Sequence, residues 1–329
     1  MAMTPERLRP LSVVIPTWNG RALLEEHLPT VLAAGEAYER VSATPVEIVV
    51  VDDGSEDDTA AWLRRMYPRV RLIVKPANDG FAAACNVGFR ESRHPIVVLL
   101  NNDVAVAPDV LLHLAPHFSD PRVFAVTCRA LWPDSNRLAS GGKIGKFARG
   151  FWRIHHNYDA DPNRSRPPYY SIVASGGFSA FDREKVIALG GFDELLGPFY
   201  WEDVELSLRA WRRGWTILYE PRAIVYHQAS RTIGRCFSPA YVRMVNQRNR
   251  LLTHWIHLDD PLWLLAHGAM VLVLTAGALV RGDRAFLRAV AQALGHIPEV
   301  RRRRRRERQA GKLTGREIAA FFRSVRPGS

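Results

Sequence analysis

The chain is poor in cysteine, and its cysteines fall at no useful spacing. Cys85, Cys128 and Cys236 are the three found in 329 residues. They make neither a disulfide framework nor a metal-ligand pair, which favours a reducing compartment. No G-x-G-x-x-G follows the first apolar run and no G-x-x-x-x-G-K-[ST] occurs anywhere, so dinucleotide-binding and P-loop readings lose their main support. The first ten residues are polar with prolines, and the apolar stretch at 11–15 is too short for the core of a signal peptide. The chain is therefore expected to stay in the cytoplasm. There is no internal repeat, and the only low-complexity stretch is an arginine run. A composition with 47% hydrophobic and 24% charged residues excludes wholesale disorder, a collagen-like chain and a polytopic membrane protein.

Acidic residues are scarce in one place. Residues 281–329 hold fourteen Lys/Arg, including the six from Arg301 to Arg306, against four acids, so most of the net +12 sits there. The basicity is a local device, and a body coated for nucleic acid is not implied. Aromatic residues that could stack bases are sparse around the arginines, and no nucleic-acid partner is expected.

Strand-length apolar runs at 11–15, 46–51, 70–74 and 96–100 alternate with helical spacing at 21–34, 56–66 and 80–92. That order predicts a mostly parallel sheet flanked by helices, a Rossmann-like α/β arrangement. Runs nearly continuous in Val, Ile and Leu suit strands buried on both faces. Polar clusters follow three of them: Thr17-Trp18-Asn19-Gly20, Asp52-Asp53-Gly54-Ser55 and Asn101-Asn102-Asp103. In an open parallel sheet such strand ends line one crevice, where ligands bind. Further on, 123–131 reads as a strand, 132–170 as loops or a hairpin over the crevice, and 171–181 as a strand. Helical spacing follows at 182–190 and 199–213, an extended run at 216–226, and a basic helix at 240–257.

Three of these segments can carry chemistry. Asp52 and Asp53 at a strand end can accept hydrogen bonds from a base and a ribose, while Ser55 or Asp57 can equally cap the next helix. The carboxylate of Asp103, flanked by the amides of Asn101 and Asn102, can hold a divalent cation that bridges a diphosphate, although turn chemistry explains the same triplet. Phe199-Tyr200-Trp201-Glu202-Asp203-Val204-Glu205 places three acids among four residues beside aromatics. Such a cluster is costly to bury, but a helix N-terminus offsets part of the repulsion. A carboxylate held there against an apolar wall can act as a general base toward a hydroxyl. An acidic first turn stapled by Trp201 is the plainer alternative.

Together the segments resemble a known family. Ser12-Val13-Val14-Ile15-Pro16-Thr17-Trp18-Asn19, Val51-Asp52-Asp53-Gly54-Ser55, Asn78-Asp79-Gly80-Phe81-Ala82 with Cys85-Asn86, Leu100-Asn101-Asn102-Asp103 and Trp201-Glu202-Asp203 look like family 2 glycosyltransferases of the GT-A fold. The chain is most similar to the rhamnosyltransferase and galactofuranosyltransferase-like branch, over roughly residues 10–230. The resemblance implies that Thr17 and Trp18 line the nucleotide pocket and that Asp53 contacts base or ribose. By the same token Asn78, Gly80 and Asn86 lie beside the ribose and diphosphate, with Asn102 on the donor side. Ser175-Gly176-Gly177 resembles the small-residue stretch under the sugar. Asp103 matches the last acid of the D-x-D motif and His227 a histidine completing the site, for Mn²⁺ or Mg²⁺. Asp203 matches the catalytic base, with Glu202 and Trp201 shaping the acceptor side. Asn101 stands where the motif has its first Asp, and one negative ligand fewer weakens metal binding.

The function so implied is an inverting transfer of a hexose, such as rhamnose or galactofuranose, from a dTDP- or UDP-sugar to a lipid-linked or polysaccharide acceptor. The rivals are a catalytically silent sugar-binding or scaffold protein of the same fold, and a nucleotidyltransferase. The second rival calls for a Gly-rich basic segment that Pro16-Thr17-Trp18-Asn19 does not supply.

Residues 1–235 are expected to form the catalytic domain and 236–329 a helical, basic extension. Within it the uncharged stretch 262–280 would span about 28 Å as a helix, near the thickness of a hydrocarbon core. A single crossing would put the arginines and the nucleotide-sugar site on opposite sides, although both belong in the cytoplasm. An in-plane or re-entrant helix with the arginines on anionic headgroups resolves this, at the cytoplasmic face of the cell membrane. The alternative is a buried helix with His267, Gly268 and Gly277 at packing contacts.

Overall fold

The computed structural model describes residues 8–160, 168–227 and 236–325. The expected domain boundary at 235 lies outside them. The continuous aliphatic runs become β1 (Leu11–Thr17), β2 (Val46–Asp52), β3 (Arg71–Val74) and β4 (Ile96–Leu100), separated by α1 (Arg21–Ser42), α2 (Thr59–Met66) and α3 (Phe81–Glu91). β1 pairs in parallel with β2 and β4, and β2 with β3. β1 and β4 are buried along their whole length, as continuous hydrophobicity requires of central strands. α2 starts at Thr59, later than its periodicity suggests, because the Asn19 side-chain oxygen takes the Glu56 N–H at 2.8 Å and so holds that segment as a turn.

After the short β5 (Val104–Val106) and α4 (Val110–Leu114), β6 (Val123–Leu131) forms as expected. The expected strand at 171–181 is confined to β10 (Phe178–Asp182). Upstream, the backbone bonds to several separate partners: Ile172 N–H to the Lys143 carbonyl at 2.8 Å and Ala174 N–H to Ser207 Oγ at 3.0 Å. That leaves no ladder for a strand to follow. β10 runs antiparallel to β4 on one side and β6 on the other, and β11 (Thr216–His227) pairs in parallel with β6. The order of the main sheet is thus β3-β2-β1-β4-β10-β6-β11-β5, with β7 (Leu138–Ser140) on β6. β8 (Gly142–Ala148) and β9 (Phe151–Tyr158) form a separate hairpin.

Each face of the sheet buries its own cluster. Leu24, Leu28, Val31 and Tyr38 of α1 cover Leu11, Val13 and Ile15 on one side. Phe89 of α3, Phe192 and Trp211 meet Val14, Val97 and Leu99 on the other. Burial of each such side chain is worth about 1.5–3 kcal/mol.

Five helices follow: α7 (Pro239–His257), α8 (Pro261–Arg281), α9 (Arg284–Gly295), α10 (Ile297–Ala310) and α11 (Gly315–Ser324). Ser238, Asp260, Asp283 and Thr314 cap four of them through their side-chain oxygens. Ile318 and Phe322 of α11 enter the same cluster as Phe89 and Trp211, so this region shares a core with the sheet.

α8 is long and apolar enough to cross a membrane, with a mean hydropathy of 2.0, and is largely exposed. Its Leu265, Leu272 and Val280 are 72%, 73% and 88% exposed. Its inner side is anchored by His267, whose Nδ1 donates to the Gly150 carbonyl at 2.7 Å, and by Trp263 stacked on Phe147. A Cβ added at Gly268 would meet nothing within 4 Å, so the buried-helix expectation holds for His267 and fails for the helix as a whole. The arginine run is also divided. Arg303 and Arg304 turn inward, to the Asp193 carboxylate and the Trp255 carbonyl, while Arg301, Arg302, Arg305 and Arg306 stay exposed.

Candidate active site

Because β1, β2, β4, β6 and β11 point the same way, Thr17, Asp52, Leu100, Leu131 and His227 finish on one rim. The residues there enclose a cavity of about 520 Å³. It brings together Thr17, Trp18, Asp53, Asn78, Gly80, Asn102, Asp103, Gly176, Gly177, Glu202, Asp203 and His227.

The Asp52-Asp53 pair divides its work. Asp52 accepts from the Ser55 N–H at 3.1 Å and from the Ser55 hydroxyl, holding the turn. Asp53 faces the cavity, bonded by Lys75 and by the Gly80 N–H at 2.8 Å, and so fixes Asn78–Gly80 beside it. Gly54 makes this approach possible: its φ is +69° and an added Cβ would lie 2.5 Å from the Ala77 backbone. At the next strand end Asn102 Nδ2 donates to Thr17 Oγ1 at 2.9 Å, joining the ends of β1 and β4.

Asp103 is buried, and its Oδ1 has no hydrogen-bond partner. His227 Nε2 lies 3.5 Å from it, delivered by the antiparallel register that sets His227 opposite Val104. An orphaned buried carboxylate oxygen beside an imidazole suits a cation that also takes oxygens from its ligand. Among the described residues no three His, Cys, Asp or Glu gather as a self-sufficient metal set. The floor between is Gly176 and Gly177. A Cβ on Gly177 would sit 2.7 Å from Asn101 Nδ2, so the Asn101 amide occupies the space a side chain would need.

Opposite, α6 (Glu202–Arg212) presents its first turn. It begins at Glu202 and not at 199 because Tyr200 and Trp201 have φ of +70° and +77°, which no right-handed helix accommodates. Asp203 Oδ1 accepts from the Val204 N–H at 2.7 Å and Oδ2 from the Gly176 N–H at 3.4 Å. Burial pushes the Asp203 carboxyl above its ordinary range, opposed by the nearby Lys143 ammonium and these N–H groups. Burial pushes Glu202 up to about 8, with the Asp203 charge adding to it. The two buried carboxyls therefore resist ionising together.

Two expected residues lie elsewhere. Asn86 is buried and donates to the Phe192 carbonyl at 2.9 Å while accepting the Phe192 N–H at 2.7 Å, tying α3 to the segment after α5 (Arg183–Leu189). Trp201 turns its indole to Asn246 Oδ1 at 3.1 Å and its ring edge to His254. The cavity wall includes Phe81 of the Asn78–Ala82 motif and residues the sequence did not single out: Trp132, Ser140, Pro198 and Phe237. Lys143 also went unnoticed. It donates to Ser140 Oγ at 2.7 Å, and its cost of burial is partly offset by Asp203. One of two lysines in a Gly-rich hairpin, it carries no signal in the sequence. In the capping stretch 132–170, the described residues that reach the cavity lie ahead of the β8–β9 hairpin.

The sequence model for glycosyl transferase family 2 matches residues 12–190, more than half of the chain. The N-acetylglucosaminyl-diphospho-decaprenol L-rhamnosyltransferase of Mycobacterium tuberculosis is 28% identical over 249 residues, 68% of this chain and 78% of its own. A probable N-acetylgalactosaminyltransferase 9 of Caenorhabditis elegans is 29% identical over 195 residues, 55% of this chain. This chain spans about a third of that relative's length (34%). Among solved structures, GalNAc-T7 with UDP, GalNAc and Mn²⁺ aligns with a TM-score of 0.61 at 20% identity, over 78% of this chain and 49% of the other. The mannosyltransferase PcManGT of Pyrobaculum calidifontis, in complex with GDP-Man and Mn²⁺, aligns with a TM-score of 0.54 at 20% identity, over 99% and 90%. The protein belongs to glycosyl transferase family 2 and has the GT-A fold.

Proposed function

We propose that this protein is an inverting glycosyltransferase. It moves a rhamnose or galactofuranose-like sugar from a dTDP- or UDP-sugar to a hydroxyl of a lipid-linked or polysaccharide acceptor, in cell-surface glycan synthesis. The observation that carries the reading is that Asp103 and Asp203 line one cavity, with the side-chain-free floor of Gly176 and Gly177 beside them. The named activity of the mycobacterial relative supports the sugar and the acceptor class.

Thr17, Trp18 and Asp53 bind the nucleoside, and Asn78, Gly80 and Asn102 face the ribose and diphosphate. Asp103 and His227 hold Mn²⁺ or Mg²⁺, which when bound offsets the charge of the diphosphate leaving group. Asp203 takes the acceptor hydroxyl's proton as its oxygen attacks the anomeric carbon. The bond from that carbon to the diphosphate breaks on the opposite face, which inverts the centre, and nucleoside diphosphate leaves. A proton on Glu202 keeps a second negative charge away from Asp203. Phe81, Phe199 and Phe237 exclude water from the reacting centre.

The exposed apolar side of α8 and the outer arginines of α10 dock on anionic lipid at the cytoplasmic face of the membrane, with α8 in the plane of the interface. The second reading, a silent sugar-binding or scaffold protein, draws on Asn101 in place of an acidic ligand. The deciding experiment follows nucleoside diphosphate released from dTDP- and UDP-sugars on addition of membrane acceptor extract. Asp203→Asn should lower the rate by about 10²–10⁴. Equal turnover in that variant defeats the base assignment, and no release by the unaltered chain favours the scaffold.

A further inference from the structure

We infer that Asn249 of α7 is a positioning residue for the turn that presents Glu202 and Asp203, acting through the backbone carbonyls of the segment just before them. The inference rests on the reading of Asp203 as the base. The Asn249 amide is completely buried, and its two N–H protons are shared among the carbonyls of Leu196, Phe199 (3.0 Å) and Tyr200 (2.9 Å). Its own oxygen accepts from Arg248 Nε at 2.9 Å, and another nitrogen of Arg248 donates to the Gly197 carbonyl. One turn earlier, Asn246 Oδ1 accepts the Trp201 indole N–H. Four carbonyls and one indole between 196 and 201 therefore end on three neighbouring side chains of one helix.

The segment needs such a hold. Tyr200 and Trp201 both sit at positive φ without being glycine, a conformation that costs about 1–3 kcal/mol per residue and persists only where surroundings over-determine it. Asparagine is a poor former of helix interiors, so a buried one at mid-helix is there for its amide. The Trp201 carbonyl accepts the Glu205 N–H at 2.8 Å and so starts α6. A shift of this turn is thereby a shift of Asp203. Thr17, Asp53 and Asp103 belong to other elements, and donor binding should be spared.

The test uses the full chain carrying Asn249→Leu, Asn249→Asp, which keeps the shape but has at most one proton to give, or Asn246→Ala. Three quantities are measured: amide hydrogen exchange at 196–203, binding of UDP and dTDP, and slow hydrolysis of dTDP- and UDP-sugars by water. Displacement of the base by about 1 Å predicts a loss in kcat of roughly 100-fold for both Asn249 variants, with nucleotide affinity within about threefold. Exchange at 196–203 should rise by about tenfold or more while β1 and β4 are unchanged. Asn246→Ala should show the same pattern, smaller. Folded Asn249 variants with unchanged exchange at 196–203, or with unaltered kcat, overturn the inference. If neither Asn249 variant folds, unaltered exchange and kcat in Asn246→Ala overturn it. Failure of the unaltered chain to hydrolyse any donor counts against the catalytic reading, and the exchange measurement then decides the clamp alone.

Discussion

Asp103 Oδ1 and His227 Nε2 face each other at 3.5 Å because the end of β11, paired with β6 on one edge, runs antiparallel to β5 on the other. In the proposed site, with one carboxylate and one imidazole as protein ligands, a cation would be held weakly. Activity should be lost on chelation and restored by Mn²⁺. His227→Ala should raise the Mn²⁺ needed for half-maximal rate by roughly tenfold, equivalent to about 1.4 kcal/mol. Titrating Mn²⁺ against turnover checks this, and an unshifted midpoint removes His227 from the site.

Glu202 gives a pH-dependent stability with a definite sign. Its folded pKa of about 8 lies above the ordinary 4.5. The unfolded chain thus loses this proton first, and stability falls as pH rises through that interval. Glu202→Gln, neutral throughout, should raise Tm most at pH 9 and hardly at pH 4, at about 2–4 °C per kcal/mol. Melting curves across that range would refute the burial argument if the gain were largest in acid.

Gly177 and Asn101 share one space. Gly177→Ala places a methyl 2.7 Å from Asn101 Nδ2, an overpacking expected to cost about 1–3 kcal/mol. It should weaken donor binding as well. Asn101→Ala in the same chain should return part of both losses. A double-mutant cycle that sums additively means the two do not collide.

The division of the arginine run yields a contrast at the membrane. Changing Arg301, Arg302, Arg305 and Arg306 to Gln should weaken vesicle binding by about 1 kcal/mol per residue near the surface, without lowering Tm. Arg303→Gln, which loses Asp193, should lower Tm instead. Co-sedimentation with phosphatidylserine vesicles separates the two. Undiminished binding by the fourfold variant would leave α8 as the sole anchor.

The donor half was legible because its signals are local. Aliphatic runs gave β1, β2 and β4, and polar residues at their ends fell on one rim as the parallel order required. Asp103, Asp203 and His227 were named from the motifs, and the geometry that gathers them depends on pairings between distant strands. Asn86 and Trp201 matched the motif and face away from the cavity. Their partners, Phe192 and Asn246, lie far off in the chain, so nothing nearby marked them as structural. Asn249 was unreadable for the same reason: its worth comes from carbonyls belonging to another segment. The short β10 was hidden by an apolar stretch whose backbone bonds scatter among Lys143, Ser207 and other partners.

The reversal of β10 between the co-directional β4 and β6 has a consequence for how specificity can change. The beginning of that strand meets the finish of β4, so Gly176 and Gly177 reach the cavity from the later part of the chain, while the residues proposed to bind the nucleoside all precede residue 104. Under the proposed roles, exchanges within 196–203 can reshape what receives the sugar while the residues assigned to the nucleoside stay in place. The reversed β10 is the seam at which these two parts of the chain meet.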